Sequence, residues 1–448
     1  MGNSILGNKT IDDFHTLVKN SKAVVIFGAG EIGYLVQNYL KQLKHPASLF
    51  IDNNERKQGK QYHAVKIVSP FEGVQKYPHD VFIVANLNLE HGEQMFLQLQ
   101  KLGVKEDLIV RCNSWMILEM ENCLHFQYIK EDKNFIYHHP VHKSSLYYTK
   151  KVKAKVKALG YKILMDLVHP KTESKKRYDV AICAIFKNES YYLQEWIEYH
   201  KIIGFDHFYL YNNFSDDHYM DILAPYIQDE TVTLIEWPYH QGQISAYKDC
   251  IQKYKDQCQW IGFVDIDEFV LPVKDKSINS FLKGFEKKRG SVLIYWRLFG
   301  SAGRLDRDVN HLVIEDFTVC WGKYSDTGKC FFNTNYNLAE DSKRNNTMHH
   351  QLWTEYRGIT FPPVNIFDRV CIDGFHSVNK RPFAIQINHY ALKSYAEYRK
   401  KMQGTDVFFQ DNPHNKEAFL FHEEKCRTVD VGIYKYLFLL KQKMGIRE

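Results

Sequence analysis

The sequence lacks several features that would set it apart from ordinary globular proteins. No apolar run in the 448 residues reaches the length of roughly 20 residues that a transmembrane helix needs. Its first residues show no basic segment followed by a long apolar core, so no signal peptide is predicted. The nine cysteines are scattered without Cys-x-x-Cys pairs, which argues against a disulfide framework and against a zinc site. We therefore expect a cytoplasmic protein.

The composition is that of a folded chain with more than one domain. Hydrophobic residues make up 44% and charged residues 25% of the chain, close to average globular usage. These values exclude a mostly disordered, collagen-like or low-complexity protein. At roughly 150 residues per domain, the length corresponds to about three domains, and we expect two domains with connecting structure.

The positive charge is concentrated in one segment. The chain carries a net charge of +6, and between Lys143 and Arg177 eleven basic residues are opposed by only two acids, Asp166 and Glu173. The rest of the chain is therefore mildly acidic. A local basic segment predicts a local anionic partner, and no nucleic acid is expected as a ligand.

An amphipathic helix is predicted within this segment, in residues 150–168. Its apolar residues recur at helical spacing and form one face: Val152, Val156, Leu159, Ile163 and Leu167. Four lysines flank that face: Lys151, Lys153, Lys155 and Lys157. Two interpretations remain open, a helix lying on an anionic membrane surface or a helix whose apolar face packs on a domain.

Residues 23–85 have the strand and helix pattern of a Rossmann-like domain. A buried strand at 23–27 leads directly into Gly28-Ala29-Gly30-Glu31-Ile32-Gly33, and a second strand ends at Asp52. In this context Gly28, Gly30 and Gly33 permit a tight turn below an anionic ligand, and Asp52 can hold a ribose hydroxyl. The alternative is that these glycines serve packing alone. Residues 20–112 resemble the small nucleotide-binding domains of bacterial sugar-modifying and sugar-transferring proteins.

From Asp179 onwards strands and helices alternate, which predicts a mostly parallel sheet with ligands at the carboxyl ends of its strands. Asp265 and Asp267 follow an apolar strand and, at positions i and i+2, point to one face. Two carboxylates so placed repel each other unless a cation lies between them. Mn²⁺ or Mg²⁺ suits such oxygen ligands and would neutralise the diphosphate of a nucleotide-sugar donor.

Residues 179–405 resemble a GT-A-fold glycosyltransferase, similar to glycosyltransferase family 92 and the related family-2-like group. Seven segments carry the resemblance in order: 184–189, 195–200, 212–216, 263–269, 296–303, 313–317 and 387–394. The resemblance implies an inverting transfer from a UDP-sugar, galactose being a common donor sugar in this group.

The resemblance also assigns site residues. The nucleotide-sugar pocket is assigned to Lys187, Asn188, Glu189, Asp216 and Asp265. The metal ligands are assigned to Asp265, Asp267 and His389, with His349 and His350 as alternatives to His389. The general base is assigned to Asp341, and other acids qualify by position: Asp306, Asp308, Glu315, Asp316 and Glu340. Residues 322–363 depart from the usual family pattern, which leaves the acceptor open.

The fold class expected is α/β, with an N-terminal Rossmann-like parallel sheet and a GT-A catalytic domain containing a mixed sheet. The expected segments are a nucleotide-binding domain (1–125), a basic linker with the amphipathic helix (126–177), the glycosyltransferase domain (178–405) and a helical extension (406–448).

The expected function is a metal-dependent inverting glycosyltransferase, cytoplasmic and associated with the inner face of the membrane. It would move a sugar from a UDP-sugar to a lipid-linked or surface glycan such as lipooligosaccharide, O-antigen or capsule. Two alternatives remain open. One is a bifunctional protein whose N-terminal domain performs NAD-dependent sugar-nucleotide chemistry, although no Tyr-x-x-x-Lys signature follows. The other is a non-catalytic glycan-binding scaffold.

Overall fold

The computed structural model describes the greater part of the chain. The described residues are 11–62, 64–86, 89–112, 116–117, 120, 135–136, 145–171, 175–344, 347–372, 376, 382–404, 412 and 414–446. The chain divides into two compact units, Met1–Lys130 with Pro140–His142, and Glu131–His139 with Lys143–Glu448. The segment boundaries expected from the sequence stay a prediction, and part of the expected linker lies outside the described residues.

The first unit is built on a six-stranded sheet in the order β3-β4-β2-β1-β5-β6. All neighbouring strands are parallel except the edge pair β3 and β4. The strands are β1 (Val24–Phe27), β2 (Leu49–Ile51), β3 (Gln61–Tyr62), β4 (Val65–Val68), β5 (Val81–Val84) and β6 (Ile109–Arg111). The helices are α1 (Ile11–Asn20), α2 (Glu31–Gln42), α3 (Pro70–Lys76) and α4 (Leu89–Lys101), and a short 3₁₀ helix spans Glu106–Leu108.

The second unit contains a nine-stranded mixed sheet. Its order is β10-β9-β8-β11-β16-β13-β21-β12, with β20 paired to β13. The strands are β8 (Tyr178–Phe186), β9 (His207–Asn212), β10 (Val232–Glu236), β11 (Cys258–Phe263), β12 (Glu268–Pro272), β13 (Ser291–Leu298), β16 (Gly328–Asn333), β20 (Val364–Asn365) and β21 (Ile385–His389). The four strands from β10 to β11 are parallel to one another, whereas β16 runs antiparallel to both its neighbours.

Smaller sheets and further helices complete the fold. The remaining strands are β7 (Phe135–Ile136), β14 (Val319–Trp321), β15 (Tyr324–Ser325), β17 (Asn337–Leu338), β18 (Thr354–Tyr356), β19 (Ile359–Phe361) and β22 (Cys426–Val429). The helices of the second unit are α5 (Ser145–Leu167), α6 (Ser190–Ile202), α7 (Tyr219–Gln228), α8 (Gln243–Tyr254), α9 (Ile278–Leu282), α10 (Val313–Asp316), α11 (Glu340–Arg344), α12 (Tyr395–Gln403), α13 (Lys416–Lys425) and α14 (Leu437–Lys443), with a 3₁₀ helix at Gly432–Tyr436. Within the described part of the chain, no helix is both long and apolar enough to cross a bilayer.

These sheets confirm the α/β fold class. The strand β8 is buried along its last seven residues, as the apolar run 180–186 predicts for a strand covered on both faces. The parallel strands β8, β9 and β11 bring their carboxyl ends to one edge of the sheet. Pairing of β12 with β21 then places His389 opposite Glu268, more than a hundred residues away in sequence.

In the glycine-rich turn after β1, the structure distinguishes glycines that allow close packing from a glycine that faces open space. Gly28 has a φ of +111°, a left-handed conformation that favours glycine. A Cβ at Gly33 would lie 2.0 Å from the carbonyl oxygen of Gly28, so this glycine allows α2 to approach the turn. A Cβ at Gly30 would meet nothing within 4 Å. Gly33 therefore serves packing, whereas Gly30 faces open space.

We predict that Gly33→Ala destabilises the first unit by about 1–3 kcal/mol, because the added methyl overpacks the turn. Gly30→Ala is the matched control and should leave stability unchanged. Urea unfolding gives the magnitude, and hydrogen exchange of the β1 and α2 amides localises it. Equal effects of the two substitutions would contradict the assignment of Gly33 to packing.

Candidate functional site

The loops that follow β8 and β9 are hydrogen-bonded to each other. The Asn188 N–H donates to Ser215 Oγ at 2.9 Å, and the Asp216 N–H donates to Asn188 Oδ1 at 2.9 Å. The Ser190 N–H, which begins α6, donates to Asp217 Oδ2 at 2.9 Å. Asn188 has a φ of +56°, which asparagine tolerates better than most residues. The structure thus brings together two of the predicted nucleotide-pocket residues, Asn188 and Asp216.

Asp265 is held by protein donors on both carboxylate oxygens. Its Oδ1 accepts hydrogen bonds from Tyr247 Oη at 2.9 Å and from Gln243 Nε2 at 3.2 Å. Its Oδ2 accepts from Lys329 Nζ at 2.6 Å. These donors satisfy most of the acceptor capacity of the carboxylate, so Asp265 is fixed in place before any ligand arrives.

Lys329 balances two buried acids. Its side chain is 1% exposed and lies in ion-pair distance of Asp265 and, at 3.7 Å, of Glu268 Oε1. Burial lowers the pKa of Lys329, but the negative charges of Asp265 and Glu268 outweigh it and raise the pKa above its ordinary value. Burial also raises the pKa of Glu268 well above that of an ordinary glutamate, although Lys329 opposes the shift. Lys329 is therefore positively charged and offsets the negative charge of Asp265 and Glu268.

Asp267 lies beside a second lysine and a histidine. Lys401 Nζ, from α12, donates to Asp267 Oδ2 at 2.8 Å. His389 Nε2 lies 3.6 Å from Asp267 Oδ1. Burial alone would raise the pKa of Asp267, but Lys401 and then His389 and Lys393 hold it well below its usual range. Burial lowers the pKa of His389 to about 4, so the imidazole is neutral near neutral pH.

Glu189 connects this centre to the loop after β8. Its Oε2 lies 3.7 Å from Lys393 Nζ, which in turn sits 3.3 Å from the centroid of the Tyr192 ring. Burial raises the pKa of Glu189, and Lys393 and Lys401 oppose that shift. The predicted residues Glu189, Asp267 and His389 therefore belong to one electrostatic cluster.

The lysines and Glu268 of this cluster were missed by the sequence analysis. Lys393 lies within the matched segment 387–394 and could have been noticed there. Lys329 lies in the segment that departs from the family pattern, and Lys401 is one of several lysines on an exposed-looking helix. Only the pairing of β11 with β16 and the position of α12 reveal their partners.

The donor set for a divalent cation is partial. Among the described residues no group of three or more His, Cys, Asp or Glu side chains is arranged to hold a metal. Asp267 Oδ1 and the neutral His389 Nε2 fit two ligand positions, and a donor diphosphate can supply others. Nδ1 of His389 is buried without a hydrogen-bond partner in the described structure. Asp265, already held by Lys329, Tyr247 and Gln243, fits the ion less well.

The two alternative histidines lie on the Lys329 side of the cluster. His350 Nδ1 is 2.7 Å from the carbonyl oxygen of Gly328, and its ring packs 5.0 Å from that of Trp296. The His349 ring lies 5.5 Å from the Tyr247 ring. Burial lowers the pKa of His350 to about 3 and that of His349 well below its usual value. Neither pairs with Asp267 in the described structure.

Asp341 is exposed in the first turn of α11 and makes no side-chain hydrogen bond or ion pair with the described residues. β16, which leads towards α11, runs antiparallel to β11 and therefore away from Asp265. Just after β16, the Thr334 N–H donates to the carbonyl oxygen of Gln259, near the start of β11. The geometry therefore gives no support to Asp341 as general base, and this role stays a prediction.

Another predicted alternative, Asp316, forms a dyad with a histidine. His311 Nδ1 lies 2.9 Å from Asp316 Oδ1, and Arg304 Nη2 lies 2.7 Å from the same oxygen. The Asp316 side chain is 1% exposed, whereas that of His311 is 43% exposed. His311 Nε2 is 3.8 Å from Asp308 Oδ2, beyond hydrogen-bond distance. A buried carboxylate that fixes one imidazole nitrogen leaves the other able to accept a proton.

The loop that carries this dyad starts at the metal-ligand candidate. The Phe299 N–H donates to the carbonyl oxygen of His389 at 2.9 Å. Further along, Arg304 accepts through its carbonyl oxygen from the Tyr395 N–H at 3.1 Å, at the start of α12. Since α12 also supplies Lys401, the loop is anchored to the cluster at two points.

The first unit has a separate pocket of about 460 Å³ at the carboxyl ends of β1, β2 and β5. Gly28, Gly30 and Asp52 line it, together with Lys57. Asp52 already accepts hydrogen bonds from the Ala29 N–H at 2.9 Å and from Lys57 Nζ at 3.0 Å. Asp52 therefore stabilises the turn and positions Lys57, and its predicted role in holding a ribose stays a prediction.

The class of protein follows from a comparison with known families. Residues 176–418 match the model described as glycosyltransferase family 92, which places the chain among glycosyltransferases. Because the match spans more than half of the sequence, the chain belongs to glycosyltransferase family 92. Residues 20–110 match a second model, described as C2185-like, N-terminal.

Curated relatives match parts of the chain. A family 92 protein of Ricinus communis is 23% identical over 247 residues, 54% of this chain and 40% of that protein. A galactan beta-1,4-galactosyltransferase of Arabidopsis thaliana is 30% identical over 130 residues, 26% of each chain. The chain therefore spans at most about two fifths of the length of these relatives. A solved structure of GalNAc-T7 with UDP, GalNAc and Mn²⁺ is 10% identical over 67% of each chain, with a TM-score of 0.25.

The burial of Lys329 generates a stability prediction. Lys329→Met leaves Asp265 and Glu268 without their counter-charge and should destabilise the protein by about 3 kcal/mol. Because burial holds the pKa of Glu268 above its unfolded value, protonation relieves the loss. The loss is therefore smallest below about pH 4, the ordinary range of a glutamate, and grows as the pH rises.

Urea unfolding across that pH range measures this effect. Adding Glu268→Gln to Lys329→Met should restore part of the stability, since one buried charge is removed. The control is Lys343→Met, which breaks an exposed pair with Glu340 and should cost less than about 1 kcal/mol. A pH-independent loss in Lys329→Met would contradict the charge-balance explanation.

Proposed function

We propose that the protein transfers a sugar from a UDP-sugar to a glycan acceptor at the carboxyl edge of the nine-stranded sheet. The observation that carries the proposal is the cluster of Asp265, Asp267, His389 and Glu189 with three lysines in a chain of glycosyltransferase family 92. Acids and cations concentrated at a strand edge suit a ligand that is a diphosphate on one side and a polyol on the other.

The two acids after β11, Asp265 and Asp267, contact different parts of the nucleotide-sugar donor in this proposal. Asp265 is held rigid by Lys329 and two neutral donors, which suits an acceptor of ribose or sugar hydroxyl hydrogen bonds. Asp267, next to Lys401 and His389, faces the diphosphate. Asn188 and Asp216, joined by a hydrogen bond, border the nucleoside side, and Lys187 adds a cation to the same loop.

We assign Mn²⁺ or Mg²⁺ to Asp267 and His389 as protein ligands. Bound there, the ion would withdraw charge from the leaving diphosphate. Lys401, beside Asp267, and Lys393, beside Glu189, each bring a positive charge to the cluster. These charges would also withdraw charge from the leaving diphosphate. The burial of His389 keeps its nitrogen unprotonated and therefore able to bind a cation.

The general base is the His311–Asp316 dyad in this proposal. An inverting transfer requires a group that takes the proton of the acceptor hydroxyl while that oxygen attacks the anomeric carbon. The exposed His311, oriented by the buried Asp316, can accept this proton, and its loop is anchored beside His389. Asp341 remains the competing candidate.

Galactose is the first donor sugar to test, because two of the matching relatives bear the name galactan beta-1,4-galactosyltransferase. The acceptor proposed is a bacterial surface glycan or its lipid-linked precursor. The sequence resemblance of residues 20–112 to domains of bacterial sugar-modifying proteins supports this choice.

Asp267→Asn should abolish Mn²⁺-dependent UDP release from UDP-galactose, with a loss of at least a hundredfold, because the neutral amide no longer offsets Lys401 or binds the ion. A panel of UDP-sugars with Mn²⁺ or Mg²⁺ and a glycan acceptor measures the release. Asp326→Asn, an acid outside the cluster, is the control. Unchanged turnover in Asp267→Asn, or no turnover of any UDP-sugar by the wild type, would sink the proposal.

The two base candidates give opposite predictions. His311→Gln should lower kcat by about a hundredfold or more, with little change in the affinity for UDP, since a general base contributes on that scale. Asp341→Asn should leave kcat unchanged. Steady-state kinetics with the acceptor that works best in the panel separates the two, and the reverse pattern would return the role to Asp341.

A further inference from the structure

The helix α5 has an exposed apolar stripe. Five apolar side chains at helical spacing are between 53% and 75% exposed: Val152, Val156, Leu159, Ile163 and Leu167. This is the face that the sequence predicted as apolar. These five side chains do not pack on the second unit, although the helix itself packs on that unit through other residues.

A different face of α5 makes the packing contacts. Ala154 and Met165 are buried on the side opposite the stripe, and the ring of Tyr161 packs edge-on against Trp353 at 5.8 Å. Ala158, Leu164 and Val168 also pack against the core of the second unit. The helix thus packs on the second unit through one apolar face and exposes a second apolar face to solvent. A helix that only covers a domain would show a polar face on its solvent side.

Positive charge flanks the stripe along its length. On a helix, Lys153 and Lys157 lie on one side of the stripe; Lys155 lies on the other side, as does Lys162, which pairs with Asp368. Lys153 and Lys155 are exposed. Asp166 is the one acid of α5, and Arg289 Nη2 neutralises it at 2.8 Å. The surface around the stripe is therefore cationic.

An apolar stripe flanked by lysines fits an anionic lipid surface. The apolar side chains enter the boundary between headgroups and acyl chains, while the lysine stems let the ammonium groups reach the phosphates. A second copy of the chain suits this stripe less well, because the lysine rows of two helices would then face each other.

We infer that α5 binds the enzyme to a bilayer that carries anionic headgroups, with the stripe in the interface plane. This inference goes beyond the proposed transfer reaction and does not depend on it. It adds a reason why a glycosyltransferase without a membrane-crossing helix in its described part can reach a lipid-linked acceptor.

The test is co-sedimentation of the full chain with large vesicles. Wild type should bind vesicles of phosphatidylglycerol and phosphatidylcholine, bind pure phosphatidylcholine at least tenfold more weakly, and lose affinity as the salt concentration rises. Lys153→Gln with Lys155→Gln should weaken binding about thirtyfold. Leu159→Gln with Ile163→Gln should weaken it at least tenfold at unchanged net charge.

The matched control is Lys283→Gln with Lys287→Gln, two exposed lysines elsewhere on the second unit, which should leave vesicle binding within twofold of wild type. UDP release on a soluble acceptor should be unchanged in all three variants, and this readout separates membrane binding from catalysis. If both α5 variants bind anionic vesicles like wild type, the inference is overturned. It is also overturned if wild type ignores vesicles and sedimentation velocity shows a dimer that Leu159→Gln with Ile163→Gln dissociates.

Discussion

Charge balance among buried groups at one edge of a sheet is the constraint on which the site of this protein depends. Asp265, Asp267, Glu189 and Glu268 lie close together, and three lysines from distant parts of the chain lie beside them. Unpaired, these charges would cost several kcal/mol each to bury. Because each acid has a lysine within ion-pair distance, the cluster can persist without a ligand and is already organised when one arrives.

This balance divides the site into a fixed half and an adjustable half. Lys329, 1% exposed and in a central strand, holds Asp265 and Glu268 in place. Lys401 and His389 face Asp267 with side chains that are still 26% and 17% exposed. A donor diphosphate or a cation can therefore exchange contacts with Asp267, while Asp265 keeps the orientation that Lys329, Tyr247 and Gln243 give it.

The sequence predicted what depends on local pattern. The apolar run 180–186 and the acids at 265 and 267 follow from periodicity and spacing, and the fold class follows from the alternation of strands and helices. The lysine partners could not be predicted, because Lys329 and Lys401 meet these acids only through the antiparallel strand β16 and the helix α12. For α5 the spacing identified the apolar face correctly, but only burial shows that this face is the exposed one.

Two candidate sites compete for the donor, the edge of the nine-stranded sheet and the pocket of the first unit, so locating the donor tests the central claim directly. The measurement is hydrogen exchange of the full chain with and without UDP and Mn²⁺. We predict slower exchange in residues 187–190, 214–217 and 264–268, with the turn at residues 28–33 unchanged. Slower exchange confined to residues 28–33 and 52–57 would contradict the account.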